Sequence, residues 1–216
     1  MTSVLDSSMT DRLLKQATLL ALITIGYNVL EGLVSIWLGL ADETITLFGF
    51  GADSFVEVIS GIGIWHMLRR QGAFSCQATR DSFEQRALRI TGTAFYLLTT
   101  GLIATAALNL WQGHAPKTTF WGIVVSLVSI VSMWLLIRAK VRVGTALQSD
   151  AILADAACTR TCLRLSVVLL VASLGYELTG IGLFDSLGSL LIAWLSWREG
   201  REAFGKAAGK SCCCGG

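Results

Sequence analysis

Six apolar stretches, at about 16–39, 44–68, 88–112, 118–137, 148–175 and 181–197, constrain this chain more than any other feature. A helix needs roughly 20 apolar residues to cross about 30 Å of hydrocarbon. Most of the stretches reach that length, and the last, shorter one spans with its flanks. A backbone in lipid must satisfy its own hydrogen bonds, so stretches of this kind fold as helices. Charged residues are only 15% of the 216, against roughly 25% in a soluble domain, which agrees with lipid as the solvent. The expected fold class is an all-α membrane protein with six transmembrane helices. The net charge of +2 is too small to imply nucleic acid as a partner.

The placement of the charges orients the bundle. Arg12 and Lys15 precede the first stretch, and Arg69, Arg70, Arg80, Arg86 and Arg89 lie between the second and third. Arg138, Lys140 and Arg142 follow the fourth, and Arg198, Arg201, Lys206 and Lys210 follow the sixth. Lys117 stands alone in the opposite set of connections. Cytoplasmic loops carry the excess of Lys and Arg, so both termini are expected in the cytoplasm, which requires an even number of crossings. The opening residues, MTSVLDSSMTDR, lack the cationic start, apolar core and small-residue cleavage site of a signal peptide. The first apolar stretch is therefore expected to stay as a membrane helix.

Ionisable side chains at bilayer depth are costly and mark functional positions. Helix two carries Asp53 and Glu57 in GADSFVEV, spaced i,i+4 and so on one face. Two carboxylates facing each other in lipid need a divalent cation or protons to neutralise them. Helix five carries Asp155, Cys158 and Cys162 in ADAACTRTC, which fall within about 60° of one another around the helix. Counting at about 1.5 Å per residue from the ends of the two stretches puts both pairs near mid-membrane. Asp53, Glu57, Cys158 and Cys162 then offer four donors at one depth, enough for a tetrahedral site, and thiolates select soft ions. Plain packing of the two Cys is the competing reading.

Four further features leave alternatives open. Arg160 and Arg164, also i,i+4, fall on the side of helix five away from the Cys pair. They either pair with buried acids such as Glu31, snorkel toward the headgroups, or compensate charge when the site is empty. Thr24, Asn28, Glu31 and Ser35 make a polar stripe on helix one, facing the bundle either as a hydrated path or as bonds to neighbours. Asp185 lies at the outer start of helix six, where it caps that helix or acts as a stop for protons or cations. The terminal KSCCCGG puts Cys212, Cys213 and Cys214 on a cytoplasmic end, for capture of a soft cation or for lipidation. Cys76 and His66 carry little signal.

The runs GFGADSFVEVISG, SDAILADAACTRTC and FDSLGSLLIAWLSWREGREAF resemble the cation diffusion facilitator family over about residues 15–204. That resemblance implies six membrane helices with cytoplasmic termini, a homodimer, and export of Zn²⁺ or a related divalent ion in exchange for protons. It also implies a metal site from an Asp-x-x-x-Asp pair on helix two and a His-x-x-x-Asp pair on helix five. Asp53 matches the first position and Glu57 replaces the second Asp. Cys158 falls where the family has His, and Cys162 where it has Asp. Asn28, Glu31 and Asp185 fit the family's helices one and six.

The departures are the two thiols, which shift the expected cargo, Zn²⁺ or Cd²⁺ foremost, toward Cd²⁺, Hg²⁺ or another soft ion and away from Mn²⁺, Mg²⁺ and Fe²⁺, and a short Cys-rich tail where the family has a cytoplasmic metal-binding domain. The expected layout is a cytoplasmic segment over 1–15, a transporter domain over 16–198 and the tail over 199–216, in a bacterial inner membrane. Partners are then metal ions, the bilayer and a second copy joined through the membrane helices. Two rival functions remain at this point: a membrane thiol–disulfide oxidoreductase using Cys158 and Cys162, and a non-transporting membrane scaffold.

Overall fold

The computed structural model describes residues 2–71, 82–113, 115–147 and 150–208. Cys76 and the three terminal Cys lie outside them. Six helices follow one another: α1 (Thr2–Ala41), α2 (Ile45–Gln71), α3 (Ser82–Gln112), α4 (Phe120–Leu147), α5 (Asp150–Thr179) and α6 (Leu183–Ala207). Among the described residues there is no strand. Every helix extends beyond the apolar stretch that announced it. Residues 2–15, expected as a separate segment, continue into the first span as one helix, and α6 runs on to Ala207.

α1, α3, α4 and α5 are long and apolar enough to cross a membrane by length and composition alone. The reason α2 tolerates its carboxylates is its position. It packs against α1, α3, α5 and α6, so its polar face meets protein rather than lipid, and α6 in turn packs against α2, α3 and α5. The closest approach is between α1 and α2. A Cβ on Gly51 would meet the Ile36 nitrogen at 2.8 Å and the Gly32 oxygen at 3.0 Å, so only glycine lets these backbones touch, as is usual for small residues between membrane helices. Two helices end on a left-handed glycine, Gly113 (φ 66°) after α3 and Gly180 (φ 69°) after α5. The Gly180 amide returns to the Tyr176 carbonyl at 2.7 Å, the single bond of an αL cap.

The end without termini is tied together by hydrogen bonds. Asp185 does cap a helix, but not its own: its carboxylate accepts from the Ile45 and Thr46 amides at 2.9 and 3.1 Å, at the start of α2. Glu177 of α5 does the same for α4, accepting from the Thr119 amide at 2.6 Å. A carboxylate at a helix N-terminus satisfies orphan donors and faces the positive end of the macrodipole. Tyr176 donates to the Pro116 carbonyl, and Lys117 pairs with Glu43 at 2.7 Å. That contact raises the pKa of the Lys117 ammonium above its ordinary value. Beneath this layer Leu47, Phe50, Leu102, Leu165, Leu169 and Ile192 form an apolar core shared by α2, α3, α5 and α6.

Candidate metal-binding cavity

Below that core, toward the end carrying both termini, the packing opens into a cavity of about 60 Å³. Asp53, Glu57 and Cys158 line it, together with Asn28, Asp155, Thr161, Glu199 and Glu202. Three of the four expected donors thus face one space. The fourth, Cys162, is buried beside Met133 and Leu136 and donates its thiol hydrogen to Glu57 Oε1. Glu57 Oε2 accepts from the Asn28 amide at 3.1 Å. One carboxylate therefore joins helices one, two and five at a single level. Asp53, one turn nearer the apolar core, accepts from Ser196 of α6 at 3.2 Å.

Among the described residues no three His, Cys, Asp or Glu side chains stand close enough to hold an ion together. The donors share a cavity without forming a coordination sphere, and both helix-two carboxylates are held by neighbours: Asp53 by Ser196, Glu57 by Asn28 and Cys162. The Asn28 side-chain oxygen is buried with no partner among the described residues. It lies in the wall of a cavity already lined by carboxylates, so it is a spare neutral acceptor beside Glu57.

The remaining expectations resolve individually. Glu31 is buried, accepting from Tyr27 at 2.9 Å and Ser54 at 3.2 Å. It braces α1 against α2 and does not pair with Arg160 or Arg164, both of which are exposed. Asp155 lines the cavity, yet its carboxylate is taken by Lys140 at 2.8 Å. This corrects the count of cytoplasmic cations. Lys140 is not a loop residue after helix four but a side chain inside α4, 1% exposed, whose ammonium also donates to Thr159 at 2.9 Å. Its charge is spent within the bundle.

Glu199 and Glu202 were invisible as site residues because they sit in a run, REGRE, that reads as a solvated end. The helix sorts the run by face: Arg198 and Arg201 are exposed, while Glu199 and Glu202 turn to the cavity. Glu199 accepts from Thr161 at 3.1 Å. The spacing of Ser196, Glu199 and Ala203 on one face was the available signal.

With this geometry in place, comparison with known proteins adds one result. The family described as the cation efflux transmembrane domain matches residues 17–208, which include every residue that lines the cavity. No curated protein matches the chain.

Proposed function

The chain belongs to the cation diffusion facilitator family, and from that premise we propose that it exports a soft divalent metal ion, Zn²⁺ or Cd²⁺ foremost, in exchange for protons. That it is a membrane cation transporter follows from the family. The ion, the coupling and the residues are the proposal, and the observation that carries it is Glu57 held between Asn28 and Cys162 in a cavity also lined by Asp53 and Cys158.

The chemistry of the donors supports this reading. Carboxylates alone suit hard ions, and two thiols shift the preference toward soft ones. The Cys162 thiol holds its hydrogen on Glu57, and a thiol must lose that proton to become a ligand. Metal arriving from the cytoplasm past Glu202, Glu199 and Asp155 would release protons from Cys162 and Cys158 and draw Asp53 and Glu57 inward. Asn28, freed from Glu57, offers its oxygen to the same ion. Access then alternates: the outer apolar core parts, protons return to the donors, and the ion leaves outward. In this reading residues 16–198 form the transporter domain of a homodimer joined through its membrane helices in a bacterial inner membrane, and Cys212, Cys213 and Cys214 hand soft ions to the cavity. The oxidoreductase reading is the weaker one, since the helical spacing of four is wider than that of a Cys-x-x-Cys redox pair and Cys162 is engaged by Glu57.

The test is metal flux in proteoliposomes under an imposed pH gradient. Wild type should accumulate Zn²⁺ or Cd²⁺, and Cys158→Ser/Cys162→Ser should lose Cd²⁺ more than Zn²⁺. Flux indifferent to the pH gradient removes the proton coupling. Flux unchanged in Glu57→Gln removes the site.

A further inference from the structure

Arg160 and Arg164 are exposed on the outer face of α5, and neither has a hydrogen bond or ion pair among the described residues. They open a continuous exposed stripe, Arg160, Arg164, Val167, Val171, Leu174 and Leu178, repeating at intervals of four and three. Above Arg164 the stripe is apolar, as a lipid-facing surface must be.

Cross-helix contacts fix the depth of the two arginines. Ser129 of α4 bonds Ser166 of α5 at 2.8 Å, and Thr161 of α5 bonds Glu199 of α6 at 3.1 Å. Arg160 is therefore level with Trp134 on α4 and near Arg198 on α6, and Arg164 is one turn deeper; the same register puts Cys158 and Cys162 on the cytoplasmic side of mid-membrane, not at the midpoint that counting along the sequence suggests. The level of Arg160 is a belt. Arg138 covers the Trp134 ring at 3.7 Å and Arg201 the Trp197 ring at 4.9 Å, while Arg198 reaches back over the deeper Trp194 ring at 5.2 Å. Trp with Arg at one height marks a membrane interface. From Phe120, at the outer start of α4, to Arg138 is eighteen residues, about 27 Å of helix, close to the hydrocarbon thickness.

The belt arginines on α4 and α6 lie over tryptophan rings, whereas Arg160 and Arg164 do not. By this register the Arg160 backbone lies about 5 Å and the Arg164 backbone about 10 Å inside the hydrocarbon edge, so both side chains snorkel toward the headgroups, and an unpaired guanidinium there needs an anion. Among the described residues no exposed acidic side chain lies at this depth, the exposed acid Glu177 being at the opposite end. A second copy brought to this face by a two-fold axis would add only more arginine. We propose that Arg160 and Arg164 form a binding site for the phosphate headgroup of an anionic lipid of the cytoplasmic leaflet, whose acyl chains run along Val167, Val171 and Leu174. Guanidinium suits this role because its fork bonds two phosphate oxygens at once.

This inference rests on the membrane crossing and not on the cargo, so a failure of the transport reading leaves it standing. The test uses the full chain in phosphatidylcholine bilayers doped with spin-labelled lipids, reading the motionally restricted fraction. Wild type should select phosphatidylglycerol over phosphatidylcholine by a factor on the order of five to ten. Arg160→Gln/Arg164→Gln should abolish the selection, Arg160→Lys/Arg164→Lys should keep part of it, and Arg138→Gln/Arg142→Gln should keep most. Gln at these lipid-facing positions removes charge from hydrocarbon, so the helix is expected to insert; Arg164→Gln alone serves as the milder variant and should lower the selection. The proposal is overturned if wild type does not discriminate, if the double Gln variant discriminates fully, or if inorganic phosphate displaces the lipid. It is equally overturned if the Gln pair turns a wild-type dimer into monomer with lipid selection unchanged, which would assign the face to a second copy.

Discussion

The two ends of the bundle are built from the same helices and packed in opposite ways. At the outer end, Leu47, Phe50, Leu165, Leu169 and Ile192 exclude water, and Asp185 and Glu177 lock the first turns of α2 and α4. At the cytoplasmic end the same α2, α5 and α6 diverge around Asp53, Glu57, Cys158, Glu199 and Glu202. The difference teaches where each kind of polar group belongs. Outer carboxylates satisfy backbone amides and are structural. Inner carboxylates are held by Ser196, Asn28, Thr161 or Lys140, all side-chain partners that an arriving cation can replace.

The largest expected effect lies in the inner half. Asp53→Asn should lower metal flux by at least ~100-fold, given that even supporting residues of metal sites change affinity by about 10–100-fold. It should leave the melting temperature nearly unchanged. Equal loss of flux and fold would erase the distinction between the two ends. Next, Lys140→Met leaves Asp155 buried without its cation, which typically costs about 3–5 kcal/mol. Thermal unfolding in detergent reads it, and Lys140→Met/Asp155→Leu should recover most of the loss. If the double variant is no better than the single, the ion pair is not what Lys140 contributes.

In the outer half, Phe50→Ala should cost about 3 kcal/mol by opening a cavity in the seal, and should let protons leak through vesicles that wild type keeps tight. Tight vesicles with a destabilised protein would show that the apolar core is not the barrier. Smaller again, Asp185→Asn keeps an acceptor for the α2 amides but loses its charge, with an expected cost of about 1 kcal/mol. Flux should not change; a loss comparable to that of Asp53→Asn would make Asp185 a transport residue. The smallest effect belongs to Lys117→Met, whose partner Glu43 is a surface contact. Its unfolding curve should overlay wild type.

Legibility followed the same division. The apolar stretches and the i,i+4 pairs on helices two and five were readable because burial in lipid forces helices and because ionisable groups there have few other uses. Glu199 and Glu202 were not, since a charged run at a helix end looks the same whether it meets water or a cavity. Lys140 was counted in the cytoplasm for a related reason: only the position of Asp155 across the α4–α5 contact shows that its ammonium turns inward. Asp185 was readable as a cap, but not as the cap of α2, because the amides it serves are some 140 residues away along the chain.

By itself the sequence determined the solvent, the number of helices, their orientation and which titratable side chains share a helix face within a span, all of which depend on local composition and helical period. Tertiary structure decided which donors share a space, which charges are neutralised inside the bundle, and which end is sealed. These depend on the lateral register between helices, which is set by side-chain contacts such as Glu57 with Cys162 and Gly51 against Gly32, and no periodicity along one chain segment encodes them.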